Sequence, residues 1–342
     1  MKAAFIREHG GPEVLEVGEL EDPVAGAGQV VVDVEACALN HLDLWVRRGL
    51  PGLDLELPHV GASDVAGTVA ALGPGVEGWS RGDRVVVNPA QWCGRCEWCV
   101  RGEHSLCEEF RILGEHIDGG AAEKVRVPAE SLYALPDDVP FEDAAAVPLV
   151  FQTAWRALIG RADVRPGETV LVTGGSGGVS TAAIQIARLA GARVLAVTSG
   201  PENVERVRAL GADVAIDRLE EDFSKAAYEA TGRRGVDVVL DSVGEAIWDQ
   251  CVRALARNGR LVTYGATTGA SGRQDIRRMF WKQVRIIGTT MASRSEFERV
   301  MDLVFAGRLE PVIDVVWPLE RIAEAHERLE GGDQFGKVVL VP

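Results

Sequence analysis

The chain has 342 residues, 46% hydrophobic and 25% charged, which suits an ordinary globular protein of about two domains. A formal net charge of −15 argues against nucleic acid or an anionic membrane as the main partner, because both select basic surface. Anionic cofactors stay open, since local backbone amides hold them. The opening MKAAFIREHG lacks the apolar stretch of a secretion signal, and no apolar run reaches the roughly 18 residues of a membrane span. A cytoplasmic location is therefore expected.

The first part of the chain reads as β-rich. Gln29–Ala36, Asp83–Val87 and Glu123–Val127 alternate apolar and polar residues, and Gly-Pro clusters punctuate them. That pattern predicts a partly open β barrel or sandwich. The texture then changes: Glu142–Ile159 is Ala- and Leu-rich and predicts helix, interrupted at Pro148. From Thr169 the chain alternates. Strands are predicted at Thr169–Thr173, Arg193–Thr198, Asp213–Ile216, Val236–Asp241, Arg260–Gly265 and Arg285–Thr289. Helices are predicted at Val179–Ala190, Glu202–Leu210, Phe223–Thr231 and Ala246–Ala256. Strands separated by crossover helices predict a buried parallel sheet. Helices at Glu296–Phe305 and Leu319–Leu329 and a strand at Lys337–Val341 complete the chain.

The apolar strand ending at Thr173 runs into Gly174-Gly175-Ser176-Gly177-Gly178-Val179, and an apolar helix begins at once. Glycine permits the turn and lets backbone approach a pyrophosphate, while the helix start offers free amides. Gly175, Ser176, Gly177, Gly178 and Val179 are therefore dinucleotide-binding candidates. The second strand ends at Thr198-Ser199 with no acid to hold an adenosine ribose. That favours NADP(H) or dual use over strict NAD(H). No basic residue follows that strand at once; Arg206 and Arg208 belong to the following helix.

Cys93, Cys96, Cys99 and Cys107 form C-x2-C-x2-C-x7-C. Four thiolates at such spacing close a tetrahedron around zinc and leave no open position, so the site is structural. An iron–sulfur cluster is the competing reading, although its usual final gap and following Pro are missing. Arg95 and Arg101 are placed to temper the cluster's negative charge. Cys37 reads as a small buried hydrophobe, and Cys251 as inert on its helix.

These two motifs in this order resemble the medium-chain dehydrogenase/reductase superfamily of zinc alcohol dehydrogenases and quinone reductases. Asn40-His41-Leu42-Asp43 before Arg48-Gly49, Asp64–Val69, Asp118–Glu123 and Gly336–Leu340 extend the resemblance over the whole chain. It implies an α/β protein with a β-rich GroES-like catalytic domain and a doubly wound Rossmann domain. The first would comprise residues 1–140 and 292–342, the second residues 141–291, with the active site in the cleft between them. It also places Thr153 at the nicotinamide and Thr198 and Ser199 at the dinucleotide.

The chain departs from the family where a catalytic zinc is held by Cys, His and Cys. Asn40, Ser63 and Leu149 stand at those positions. Leu binds no zinc, and Asn and Ser are poor ligands. The resemblance puts His41 near the pyrophosphate or in a proton relay, with a solvated surface histidine as the alternative. It makes Asp43 and Asp64 acids behind the site, or simply acceptors for loop amides. His59 and His116 could build an unusual metal site with Asp64. Trp92, Trp98 and Trp155 line the cleft or fill core.

The expected activity is NAD(P)H-dependent reduction of a quinone or enone, with one structural zinc. Asn40, His41 and Ser63 would steady the oxyanion, or solvent would. A zinc-dependent alcohol dehydrogenase with atypical ligands and a non-catalytic redox sensor are the alternatives. A homodimer or homotetramer is expected, with Arg285–Thr289 as the pairing edge.

Overall fold

The β-branched run Gln29–Leu39 forms an eleven-residue strand that is buried almost throughout. It lies in the middle of a sheet, so both its faces need apolar cover. The computed structural model describes Met1–Pro342 and divides into two units, Met1–Gln152 with Ala292–Pro342, and Thr153–Met291. The first unit's main sheet runs in the order Leu132–Ala134, Arg84–Val87, Asp64–Leu72, Gln29–Leu39, Lys337–Val341, Ile313–Pro318. Lys124–Pro128 also pairs with Gln29–Leu39. A Cβ on Gly67 would lie 2.0 Å from Asp33 O, so glycine is required where these two strands cross closely.

Strand register decides which distant residues meet. Ala38 faces Asp64 on one side of the central strand, and Leu39 faces Val338 on the other. Asn40 follows Leu39 while Lys337 precedes Val338, so antiparallel pairing gathers Asn40, Asp64 and Lys337 at one level of three adjacent strands.

The boundary expected at residue 140 falls after Gln152 instead. Phe141–Ala145 packs on strands Gln29–Leu39 and Asp64–Leu72, which ties that helix to the first unit. The helical segment expected over 142–159 is interrupted at Pro148 as anticipated, giving Phe141–Ala145 and Pro148–Trp155, followed by a π-helical turn at Arg156–Arg161. Pro148 opens the second helix, where its missing N–H costs nothing.

In the second unit six strands are all parallel: Val214–Asp217, Arg193–Thr198, Thr169–Val172, Val236–Asp241, Leu255–Thr263 and Arg285–Gly288, in that spatial order. The sheet reverses its winding beside Thr169–Val172, as in doubly wound dinucleotide folds. That central strand is wholly buried, which explains its unbroken apolar sequence. Cys251 is fully buried in this core.

Other elements also differ from expectation. The helix expected to reach Ala256 stops at Ala254, and the next strand begins at Leu255 rather than Arg260. It absorbs an irregularity at Asn258, whose φ is 60°. The helix Ile276–Lys282 and the strand Ile313–Pro318 carry no clear period, because both are largely exposed or at an edge. No helix is long and apolar enough to cross a membrane.

Candidate functional site

The level of sheet reached by Asn40, Asp64 and Lys337 holds a buried ionic network. Lys337 Nζ donates to Asn40 Oδ1 at 2.6 Å, Asp64 Oδ2 at 2.8 Å and Leu39 O at 2.8 Å. All three ammonium donors therefore have acceptors. Asn40 Nδ2 donates to Asp64 Oδ2 at 3.0 Å, and Leu149 N donates to Asp64 Oδ1 at 2.8 Å. Asp64 is 0% exposed and Lys337 3%. Such a pair is stable only because every partner is present. Ser63 Oγ, equally buried, has no partner. In the sequence Lys337 stands out only as part of a closing motif. Its signal is a lysine, one of five in the chain, opening an apolar strand.

Asp43 braces the loop beneath. Its carboxylate accepts Asn40 N–H at 2.7 Å and Ala62 N–H at 2.7 Å. Burial nevertheless raises its pKa to about 6. Ala62 sits at φ 67°, a left-handed conformation costly for a residue with Cβ. Gly114 and Gly119 hold it there: a Cβ on Gly114 would meet Ala62 C at 2.8 Å, and one on Gly119 would meet Ala62 O at 2.3 Å. Glu115, absent from the candidates, comes directly after that turn. Burial, then the charge of Asp43, pushes its carboxyl up to about 7.

His41 is half-buried, its ring 5.0 Å from that of Trp45, and burial followed by the charge of Arg48 lowers its pKa. His59, His116 and Asp64 do not converge. His59 Nε2 donates to Gly114 O at 3.1 Å, and His116 Nδ1 accepts Ile112 N–H at 3.1 Å. Cys37 is buried, and burial raises its thiol pKa. Trp92 stacks near His104, with ring centroids 4.5 Å apart.

The four cysteines do converge. Their Sγ atoms all lie within 4.8 Å of one another, and Cys93 and Cys99 sulfurs are 4.0 Å apart. Four sulfurs at about 2.3 Å from one zinc would be about 3.8 Å apart, so the set fits that ion. Backbone N–H groups of Cys93, Cys96 and Glu109 point at Cys107, Cys93 and Cys107 sulfurs respectively, which favours thiolates. Of the two arginines, Arg95 meets the expectation in part, since the charges of Cys93 and Cys107 act on it after that of Glu109. Arg95 pairs first with Glu109 at 2.7 Å, and Arg101 pairs with Glu97 and covers Trp98.

In the second unit the glycine turn opens the helix Gly178–Leu189. Gly174 has φ 58°, and Ser180 Oγ donates to Thr173 O at 2.8 Å. The amides of Ser176, Gly178 and Val179 donate to no backbone carbonyl outside the helix ladder, leaving them for an anion. Gly175 N–H bonds Val197 O at 2.8 Å, which docks the turn on the neighbouring strand ending at Thr198 and Ser199. Thr153 Oγ1 is buried 3.9 Å from Met291 Sδ. Asp241, also absent from the candidates, accepts from Thr173 Oγ1 at 2.7 Å and from Val243 and Gly244 amides.

Residues 26–137 match the alcohol dehydrogenase GroES-like domain family, and residues 178–306 match the zinc-binding dehydrogenase family. The chain is 33% identical over 341 residues to acryloyl-coenzyme A reductase of Metallosphaera sedula, covering 99% of each chain. It is 31% identical over 351 residues to human quinone oxidoreductase, covering 100% of this chain and 98% of the relative. A solved NAD-dependent alcohol dehydrogenase superposes with a TM-score of 0.96 at 45% identity, covering 100% of both chains.

Proposed function

Because this chain belongs to the medium-chain dehydrogenase/reductase superfamily, and is an NAD(P)-dependent oxidoreductase, we propose that it reduces a quinone or an enone, including an α,β-unsaturated thioester, without a catalytic zinc. The carrying observation is the donor set at the three positions where the family holds that metal. Asn40 has both amide atoms engaged by Lys337 and Asp64, and Leu149 contributes only a backbone N–H, to Asp64. Ser63 has one hydroxyl, which is no adequate zinc site alone.

The reduced nicotinamide, when bound, supplies the hydride. The chain's own residues then position the acceptor and steady charge on its oxygen. Asn40 Nδ2 gives one of its two N–H groups to Asp64, so its second N–H, Ser63 Oγ and His41 are the donors left to meet an oxyanion. A conjugated acceptor suits this set, because its carbon is already electrophilic. An unactivated alcohol would need its proton acidified, which a Lewis acid does and these groups do not. Gly175–Val179 would hold the dinucleotide, together with Thr153, Thr198 and Ser199. The chain uses NADP(H), or both cofactors, since no acid ends Arg193–Thr198. The four-cysteine zinc is structural, and the protein works in the cytoplasm as a homodimer or homotetramer paired through Arg285–Gly288.

The test is metal analysis together with NAD(P)H oxidation. One zinc per chain, lost in Cys93→Ser/Cys96→Ser, with turnover of enoyl thioesters or quinones, is expected. Two zinc ions per chain, or turnover confined to alcohols and aldehydes, would overturn the proposal. The second outcome would favour an alcohol dehydrogenase with atypical ligands, a reading supported by the name of the 45%-identical structure.

A further inference from the structure

The parallel strands Arg193–Thr198 and Val214–Asp217 end side by side, with Thr198 opposite Asp217. Asp217 is the acid at this edge, and both its oxygens serve the loop. Oδ2 accepts Gly200 N–H at 3.0 Å and Oδ1 accepts Leu219 N–H at 3.0 Å. Arg218 then folds back on the first strand. Its N–H bonds Thr198 O at 3.0 Å, and its Nε donates to Ser199 Oγ at 2.8 Å. That contact orients the guanidinium while leaving both terminal nitrogens, exposed, without a carboxylate partner. Arg206 and Arg208, by contrast, are paired with Glu202 and Glu205 of their own helix.

Two further features point to a ligand here. Thr198 Oγ1, in a residue 3% exposed, has no hydrogen-bond partner. The glycine turn abuts the same strand end: a Cβ on Gly175 would stand 3.5 Å from Thr198 Cβ. A dinucleotide whose pyrophosphate rested on that turn would bring its adenosine ribose to the end of the second strand, at Thr198 and Ser199, where Arg218 Nε is bonded to Ser199. A carboxylate would bind the free 2′-hydroxyl there and repel a phosphate. The carboxylate that is here, Asp217, has both oxygens engaged by the Gly200 and Leu219 amides, and the edge adds a hydroxyl and a planar fork of N–H donors without a carboxylate partner, which matches a phosphate dianion.

We propose that Arg218, held by Ser199, recognises the 2′-phosphate of NADP(H) and sets the preference for it over NAD(H). The proposal rests on the dinucleotide-binding part of the function proposed above and names the residue that discriminates. Charge-assisted bonds of this kind change affinity about 10- to 100-fold.

The test is calorimetric binding of adenosine 2′,5′-bisphosphate and adenosine 5′-monophosphate to the zinc-loaded protein, beside its Arg218→Ala and Arg218→Lys variants. The wild type is expected to bind the bisphosphate at least about tenfold tighter. Arg218→Ala should abolish that difference while leaving 5′-monophosphate binding and thermal stability unchanged, and Arg218→Lys should restore part of it. No preference in the wild type, no binding of either nucleotide, or equal weakening of both in Arg218→Ala would each overturn the assignment. The readout needs no turnover, so failure of the quinone or enone reading leaves a separate signature.

Discussion

Replacing Lys337 by Met keeps the aliphatic stem and removes the ammonium. Asp64 would keep its bonds from Asn40 Nδ2 and Leu149 N, but its charge would lose the one cation that faces it at 2.8 Å, at a position 0% exposed. Breaking a buried pair from one side costs about 3–5 kcal/mol, because the remaining charge is stranded away from water. At about 2–4 °C per kcal/mol for a unit of this size, Tm should fall by roughly 10 °C. Thermal unfolding of zinc-loaded protein followed by circular dichroism at pH 7.5 measures it. Adding Asp64→Asn to Lys337→Met removes the stranded charge, so the double variant should be more stable than Lys337→Met alone. A Tm for Lys337→Met within about 2 °C of wild type, or a double variant less stable than the single one, would refute the reasoning.

His326 is buried and accepts a hydrogen bond from Arg47 Nη1 at 3.1 Å, and burial, then the Arg47 charge, lowers its pKa to about 3. A base whose folded pKa lies below its unfolded one loses stability as pH falls from the unfolded value, here through the window from 6.5 toward 3. By pH 5 the loss is about 2 kcal/mol, so His326→Gln should show a correspondingly shallower decline in urea unfolding between pH 7 and 5. Parallel declines in the two proteins would count against a neutral His326. Gly175→Val would bring Cβ within 3.1 Å of Val197 O and of Val207 Cγ1. Nicotinamide dinucleotide affinity, read by fluorescence titration, should fall at least about tenfold, and an unchanged affinity would show that the turn tolerates a side chain.

The parts of the site that lie close together in the chain were legible in the sequence. The four cysteines span 93–107, and their spacing alone anticipates sulfurs within 4.8 Å of one another. The glycine turn and the alternating strands of the second unit were likewise local, and the parallel sheet is their direct consequence. The ionic network was not legible, because its members come from residues 40, 64 and 337 and meet only through strand register. Nothing near Asp64 in sequence announces a lysine. Glu115 and Arg218 escaped for a related reason: Glu115 owes its character to burial and then to Asp43, far from it in sequence, and Arg218 is oriented by Ser199 at the end of the neighbouring strand. The domain boundary moved because Phe141–Ala145 is held by strands made about 70 to 115 residues earlier, a packing preference that helix periodicity does not express.

The strand Lys337–Val341 lies between Gln29–Leu39 and Ile313–Pro318 and carries the network's cation. During synthesis, the main sheet begun by the opening third of the chain must therefore wait, with its central strand's flank open and Asp64 uncompensated, until the entire nucleotide-binding insert has left the ribosome. The insert is one continuous stretch, Thr153–Met291, whose sheet is made entirely of its own strands. Assembly order thus follows from the topology: the unit made of one continuous stretch can fold first, and the unit made of two separate stretches is completed by a charge delivered late.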